Sequence, residues 1–192
     1  MSIRKSDVRL SRMVAYTAAI APIAILLAAP GAPEIPFPLA PFLKFELWEI
    51  PVYFAFYFFG FRTALLTELV VYAVVQTHPT TILFAPVYNL VAVLATLVGL
   101  RLTVGIPRYA KPLGVGVSSA LRAAVMVGFN YVFIQLPIPF GFSLTAKAVI
   151  PLLIPIAVFN IVVTIYSIGL AIVLHDIVWR RILVRNQTAI RM

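Results

Sequence analysis

The chain has 192 residues, 62% of them hydrophobic and 11% charged, with a net charge of +9 and no cysteine. With a mean hydropathy of +1.05, this is the composition of an integral membrane protein, with room for about five to seven spans of about twenty residues. It excludes a sizeable soluble domain, a disulfide frame and cysteine-held metal or haem, and the placement of the positive charge points to topology rather than to nucleic acid.

Residues 1–12 carry Arg4, Lys5, Arg9 and Arg12 and precede the apolar run Met13 to Ala29. That run is longer than most signal-peptide cores, so it reads as a first span. Within it Ala15 and Ala19 stand four apart, as do Ala24 and Ala28; small residues at that spacing let a second helix approach closely. Between Ala29 and Lys44 come Pro30, Pro33, Pro36, Pro38 and Pro41. This density forbids helix and favours an extended, semi-rigid connector. The lip that follows contains Lys44, Glu46, Trp48 and Glu49, and then Pro51 falls in the first turn of a second span, where a missing N–H costs little. Glu46 and Glu49 sit beside the positive end of that helix's dipole.

Gly60, Phe61 and Arg62 interrupt the apolar run. Basic residues at both termini place both in the cytoplasm and require an even number of spans. Splitting at Gly60 gives six, at about 13–29, 48–60, 63–77, 81–102, 113–136 and 148–178. The expected organisation is an all-α, six-span membrane domain over 13–183, a basic N-terminus over 1–12 and a basic tail over 184–192. In this arrangement the inner side receives Arg4, Lys5, Arg9, Arg12, Arg62, Arg101, Arg108, Lys111, Arg180, Arg181, Arg185 and Arg191, twelve of the fifteen cations. The outer side keeps Lys44 and Lys147, and Arg122 lies within the bilayer. The basic loops and tail are accounted for by topology and anionic lipid.

Polar residues within spans are costly and mark candidate sites. Depth counting at about 1.5 Å per residue puts Tyr72, Gln76, Tyr88, Asn89, Asn130, Tyr131 and Gln135 in the outer halves of their spans, with Asn160 deeper. Together with Trp48 they suit a pocket opening outward for an uncharged or zwitterionic heterocycle; interhelical bonding and an interfacial aromatic belt are the alternative. Glu68 and Arg122 fall at similar depths and are expected to form an intramembrane ion pair, the alternative being a proton pathway through Glu68. His78 and His175 fall on opposite sides of the membrane, so no metal site is expected. No GxxxxGK[ST] sequence is present, so ATP hydrolysis must come from partners. The run Gly116, Val117, Ser118, Ser119 is similar to the serine region of intramembrane proteases, but such strings also serve helix packing.

The order Leu43, Lys44, Phe45, Glu46, Leu47, Trp48, Glu49, Ile50, Pro51 and, nine residues on, Gly60 resembles the start of the second helix in the substrate-capture (S) subunits of energy-coupling-factor (ECF) vitamin transporters. The resemblance makes Ala15 and Ala19 the counterpart of an alanine motif that contacts a transmembrane T subunit, and the proline connector a lid. Pro155, Phe159 and Asn160 resemble a last-span pattern of riboflavin-binding members, although Val163 and Thr164 stand where those have lysine. It implies a non-enzyme without cofactor, in the plasma membrane, working with a T subunit and two cytoplasmic ATPases. The outer polar zone and the resemblance together give the expected substrate-binding set: Lys44, Glu46, Trp48, Glu49, Tyr88, Asn89, Asn130 and Asn160. Riboflavin is the first candidate among vitamin-like cargoes. Alternatives are a structural membrane protein resembling the rod-shape factor MreD and a proton-coupled carrier.

Overall fold

A computed structural model describes residues 5–77, 85–106 and 110–190, with the side chains of 5–8, 85 and 183–190 outside the description. The expected start of span four at Thr81, and His78, Arg4, Arg108 and Arg191, lie outside the described residues. So do the side chains of Lys5 and Arg185.

The described elements are α1 (Lys5–Ala28), β1 (Ile35–Phe37), β2 (Ala40–Phe45), α2 (Glu49–Phe59), α3 (Phe61–Val75), α4 (Ala85–Thr103), α5 (Ala110–Phe133), α6 (Ala146–Val149), a 3-10 turn (Ile150–Leu152) and α7 (Leu153–Ile190). Among the described residues four helices are long and apolar enough to cross a membrane: Arg9–Ala28, Pro86–Thr103, Ala110–Phe133 and Ala146–Ile182. The sequence predicts six spans. The two remaining segments are present as helices, but α2 and α3 have 11 and 15 residues, shorter than the roughly twenty that a bilayer core of about 30 Å asks of a single helix.

The separation of α2 from α3 is a backbone event at Gly60, whose φ of 92° is in the left-handed region open to glycine. Its N–H donates to the carbonyls of Ala55 and Phe56, closing α2, and α3 starts at the next residue. Trp48 at the start of α2 and Val75 at the end of α3 line one cavity, so the two helices run antiparallel.

The helix α2 is apolar around its whole circumference apart from Glu49, and a helix of that kind must be buried. Ile50, Val52, Tyr53, Ala55 and Phe56 are all inside a core completed by Ala21 and Ala24 of α1, Ala64 and Val71 of α3, Val93, Leu97 and Leu100 of α4, and Ile168 and Ala171 of α7. The outward faces carry large apolar side chains such as Leu26, Ile154 and Val173, as lipid contact requires.

The proline connector is more ordered than a loop. It folds into an antiparallel hairpin in which Ile35 opposes Phe45 and Pro36 opposes Lys44. Proline is tolerated here because a two-stranded sheet consists of edges. The hairpin lays Phe37, Ala40, Leu43 and Phe45 on Phe159, Val163 and Tyr166 of α7. Phe45 and Phe159 have ring centroids 5.1 Å apart.

At the opposite end five of the described cations gather. Arg9, Arg12 and Arg62 line one cavity, Arg101 and Lys111 another that includes Gly60. Lys111 bonds Asp176 at 2.7 and 2.8 Å, tying the start of α5 to α7.

Candidate ligand-binding cleft

The polar lip divides into a sealed network and an open cleft. The network is built on Glu49. Its neighbour four residues on, Tyr53, shares its helix face and donates its hydroxyl to Glu49 Oε2 at 2.8 Å. Arg122 of α5 approaches from the side, with Nη1 to Oε2 at 2.5 Å and Nη2 to Oε1 at 2.8 Å. The same guanidinium donates from Nε to Asn160 Oδ1 of α7 at 2.9 Å and from Nη1 to Tyr53 at 3.2 Å. Asn160 donates in turn to the carbonyl of Ile156 at 2.8 Å. All of these side chains are buried. A two-pronged arginine–carboxylate pair with its remaining donors occupied is the form in which buried charge is tolerated. The arrangement acts as a strut between α2, α5 and α7.

This corrects the expected ion pair. Arg122 pairs with Glu49, and Glu68 is not its partner. Depth along the membrane normal gave Glu68 and Arg122 a common level but said nothing of rotation about the bundle. Because α2 occupies the centre of the bundle, Glu49 is buried beneath the lip, where the long arginine side chain reaches it.

Glu68 instead lines the cleft. A cavity of about 110 Å³ is walled by Ala28, Glu46, Trp48, Glu68, Val71, Tyr72, Val75, Pro86 and Asn89. It adjoins an outer cavity of about 450 Å³ lined by residues 27–34, the end of α1 and the connector that leads into the hairpin, with Ala28, Glu46 and Val75 common to both and Glu34 and Lys44 at the rim. Trp48 is buried and donates its indole N–H to Glu46 Oε2 at 2.8 Å, which holds the ring against the cavity. Tyr166 of α7 donates to the Glu46 carbonyl at 2.6 Å. Partial burial pushes the Glu46 carboxyl above its ordinary value, and the Trp48 bond only partly opposes this. At the rim Lys44 bonds Glu34 at 2.5 Å, and this hydrogen bond raises the lysine above its ordinary value.

Of the eight expected binding residues, Glu46, Trp48 and Asn89 therefore line the deep cavity and Lys44 the outer one. Glu49 and Asn160 belong to the strut. Tyr88 packs edge-on to Phe129, with centroids 5.0 Å apart. Asn130 is buried and donates to its own helix at Met126. Neither Tyr88 nor Asn130 lines the cleft. Ala15 and Ala19 are exposed along α1. Tyr53 went unmarked in the sequence, although its spacing from Glu49 was a usable signal.

No family model matches the chain, and no curated protein matches it in sequence. Its fold is similar to that of a solved structure described as "Structure and mechanism of the S component of a bacterial ECF transporter". The TM-score is 0.69 at 20% identity, over 91% of this chain and 96% of the other. The protein therefore has the S-component fold.

Proposed function

We propose that the protein is the substrate-capture subunit of an ECF-type importer, binding a vitamin or similar small heterocycle from outside the cell. The observation that carries this reading is a cleft lined by Glu46, Trp48 and Asn89, within a fold shared with an S component over almost the whole chain. The bundle sits in the plasma membrane in six crossings, α2 and α3 being the two short ones. Both termini are cytoplasmic, because Arg9, Arg12, Arg62, Arg101 and Lys111 gather at the end away from the hairpin.

Capture residues are Glu46, Trp48 and Asn89 in the deep cavity and Lys44 at its rim. Glu49, Arg122 and Asn160 hold the wall behind them. Tyr88 and Asn130 shape the neighbouring α4–α5 wall. The chain carries no phosphate-binding loop, so energy comes from a T subunit and two ATPases, with Ala15 and Ala19 on the docking face. The protein captures and does not catalyse.

The two tryptophans make the test direct, since Trp48 lines the cleft and Trp179 lies far down α7 against His175. The Trp179→Phe variant in detergent is titrated with riboflavin first, then thiamine, biotin, pantothenate, pyridoxine, folate and niacin, following Trp48 fluorescence. A saturable submicromolar response to one compound, weakened by Asn89→Ala, is expected. Silence from folded protein across the panel would overturn the capture reading and favour a structural membrane protein.

A further inference from the structure

Among the described residues, Glu68 is an acid of the cleft without a salt-bridge partner. It is 1% exposed, it lines the deep cavity, and its Oε2 has no hydrogen-bond partner. The other charged groups around the cleft are answered within the protein. Glu49 has Arg122, Lys44 has Glu34, and Glu46 accepts the Trp48 indole N–H. A carboxylate buried without a counter-charge is strongly disfavoured unless something supplies one.

The walls indicate what that is. Two carboxyls, Glu46 and Glu68, share the cavity with the rings of Trp48 and Tyr72 and the amide of Asn89. Carboxylates together with aromatic faces are the surroundings that favour an organic cation. A bare metal ion asks instead for six or so oxygens around it, as calcium does, and aliphatic Val71 and Pro86 occupy that space here. At about 110 Å³ the cavity holds a compact head group. The remainder of a larger molecule extends into the outer cavity of about 450 Å³ beside residues 27–34.

We propose that the deep cavity is the subsite for a cationic nitrogen of the captured molecule, a protonated amine or a quaternary or aromatic nitrogen cation. Glu68 and Glu46 supply the counter-charge and Trp48 an aromatic wall. This rests on the capture-subunit reading and moves the cargo away from neutral riboflavin, towards small molecules with a positive head.

The test uses the full-length Trp179→Phe protein in detergent at fixed ionic strength. Trp48 fluorescence is titrated with choline and methylammonium, and with 3,3-dimethylbutan-1-ol as the uncharged isostere of choline. A saturable response to a cation but not to the isostere is expected, with affinity reduced about tenfold or more in Glu68→Gln. Glu68→Gln should melt no lower than its parent, since it replaces an unpartnered buried acid with a neutral group. An equal response to the isostere, no response to either cation, or unchanged affinity in Glu68→Gln overturns the subsite. Saturable binding of riboflavin, biotin or pantothenate alongside silence to both cations would sink the subsite and leave the capture reading standing. Silence to every compound would sink both.

Discussion

Arg122 and Glu49, seventy-three positions apart in the chain, meet through two parallel hydrogen bonds of 2.5 and 2.8 Å in a part of the bundle that water does not reach. The pair fixes α5 against the central α2, and the bond from Arg122 Nε to Asn160 brings α7 into the same joint. Since Trp48, at the start of α2, lines the cleft and the hairpin packs on α7, the strut holds these two elements in register.

Removing one member of a buried pair leaves an uncompensated charge, at a cost of about 3–5 kcal/mol. Arg122→Gln is therefore expected to lower folded yield and melting temperature in detergent. Adding Glu49→Gln should restore part of the loss, because it removes the orphaned charge, and should restore more than adding Glu68→Gln does. Rescue by the Glu68 change in place of the Glu49 change would contradict the pairing.

What the sequence discloses follows from which coordinates it encodes. The break at Gly60 was legible because a glycine and an arginine interrupt an apolar run, and because terminal charges set the parity of crossings. The places of Glu46 and Trp48 along the cavity followed from the charged lip before Pro51, and that of Asn89 from its depth in its span. The partner of Arg122 was not, since depth leaves rotation about the bundle axis open. Asn130 shows the same limit: its depth matches the cleft, yet its side chain turns to Met126. The hairpin was hidden because proline-dense sequence forbids helix without specifying strand pairing.

The α4–α5 contact gives a packing prediction. A Cβ added at Gly99 would lie 2.6 Å from Ser118 Cα, a backbone atom that cannot step aside. Ser118 also donates to the Thr96 carbonyl at 3.0 Å, so the Gly116–Ser119 run serves close helix packing. Gly99→Ala should cost about 1–3 kcal/mol. Gly116→Ala, which meets nothing within 4 Å, should be neutral or stabilise by up to about 1 kcal/mol. Thermal melts in detergent compare the two, and equal effects would rule out the tight crossing.

Glu46 makes Trp48 a reporter of pH. Burial raises the Glu46 carboxyl above its ordinary 4.5, with Glu34 and Glu49 adding to the shift and Lys44 opposing it. The folded protein therefore holds this proton more tightly than the unfolded chain. The stabilisation from protonated Glu46 is complete below 4.5 and is lost as pH rises through the raised value. Trp48 emission in the Trp179→Phe protein should titrate with a midpoint above 4.5, and Glu46→Gln should flatten the curve. A midpoint at or below 4.5 would place the carboxyl in water.

On the proposed function, Ala15 and Ala19 should separate capture from assembly. Both are exposed on α1, whereas the same helix turns Ala21 and Ala24 into the core and Ala28 to the cleft. Their methyl groups leave the helix backbone open to close approach by another helix. Leucine at both positions fills that space without touching the core, so Ala15→Leu/Ala19→Leu should fold with an unchanged melting temperature and leave ligand-induced Trp48 fluorescence intact. In vesicles containing the T subunit and the two ATPases, the same variant should co-purify poorly and abolish ATP-dependent uptake. Uptake at the parental rate would remove this face from the docking surface; loss of ligand response in the isolated variant would mean instead that α1 shapes the cleft.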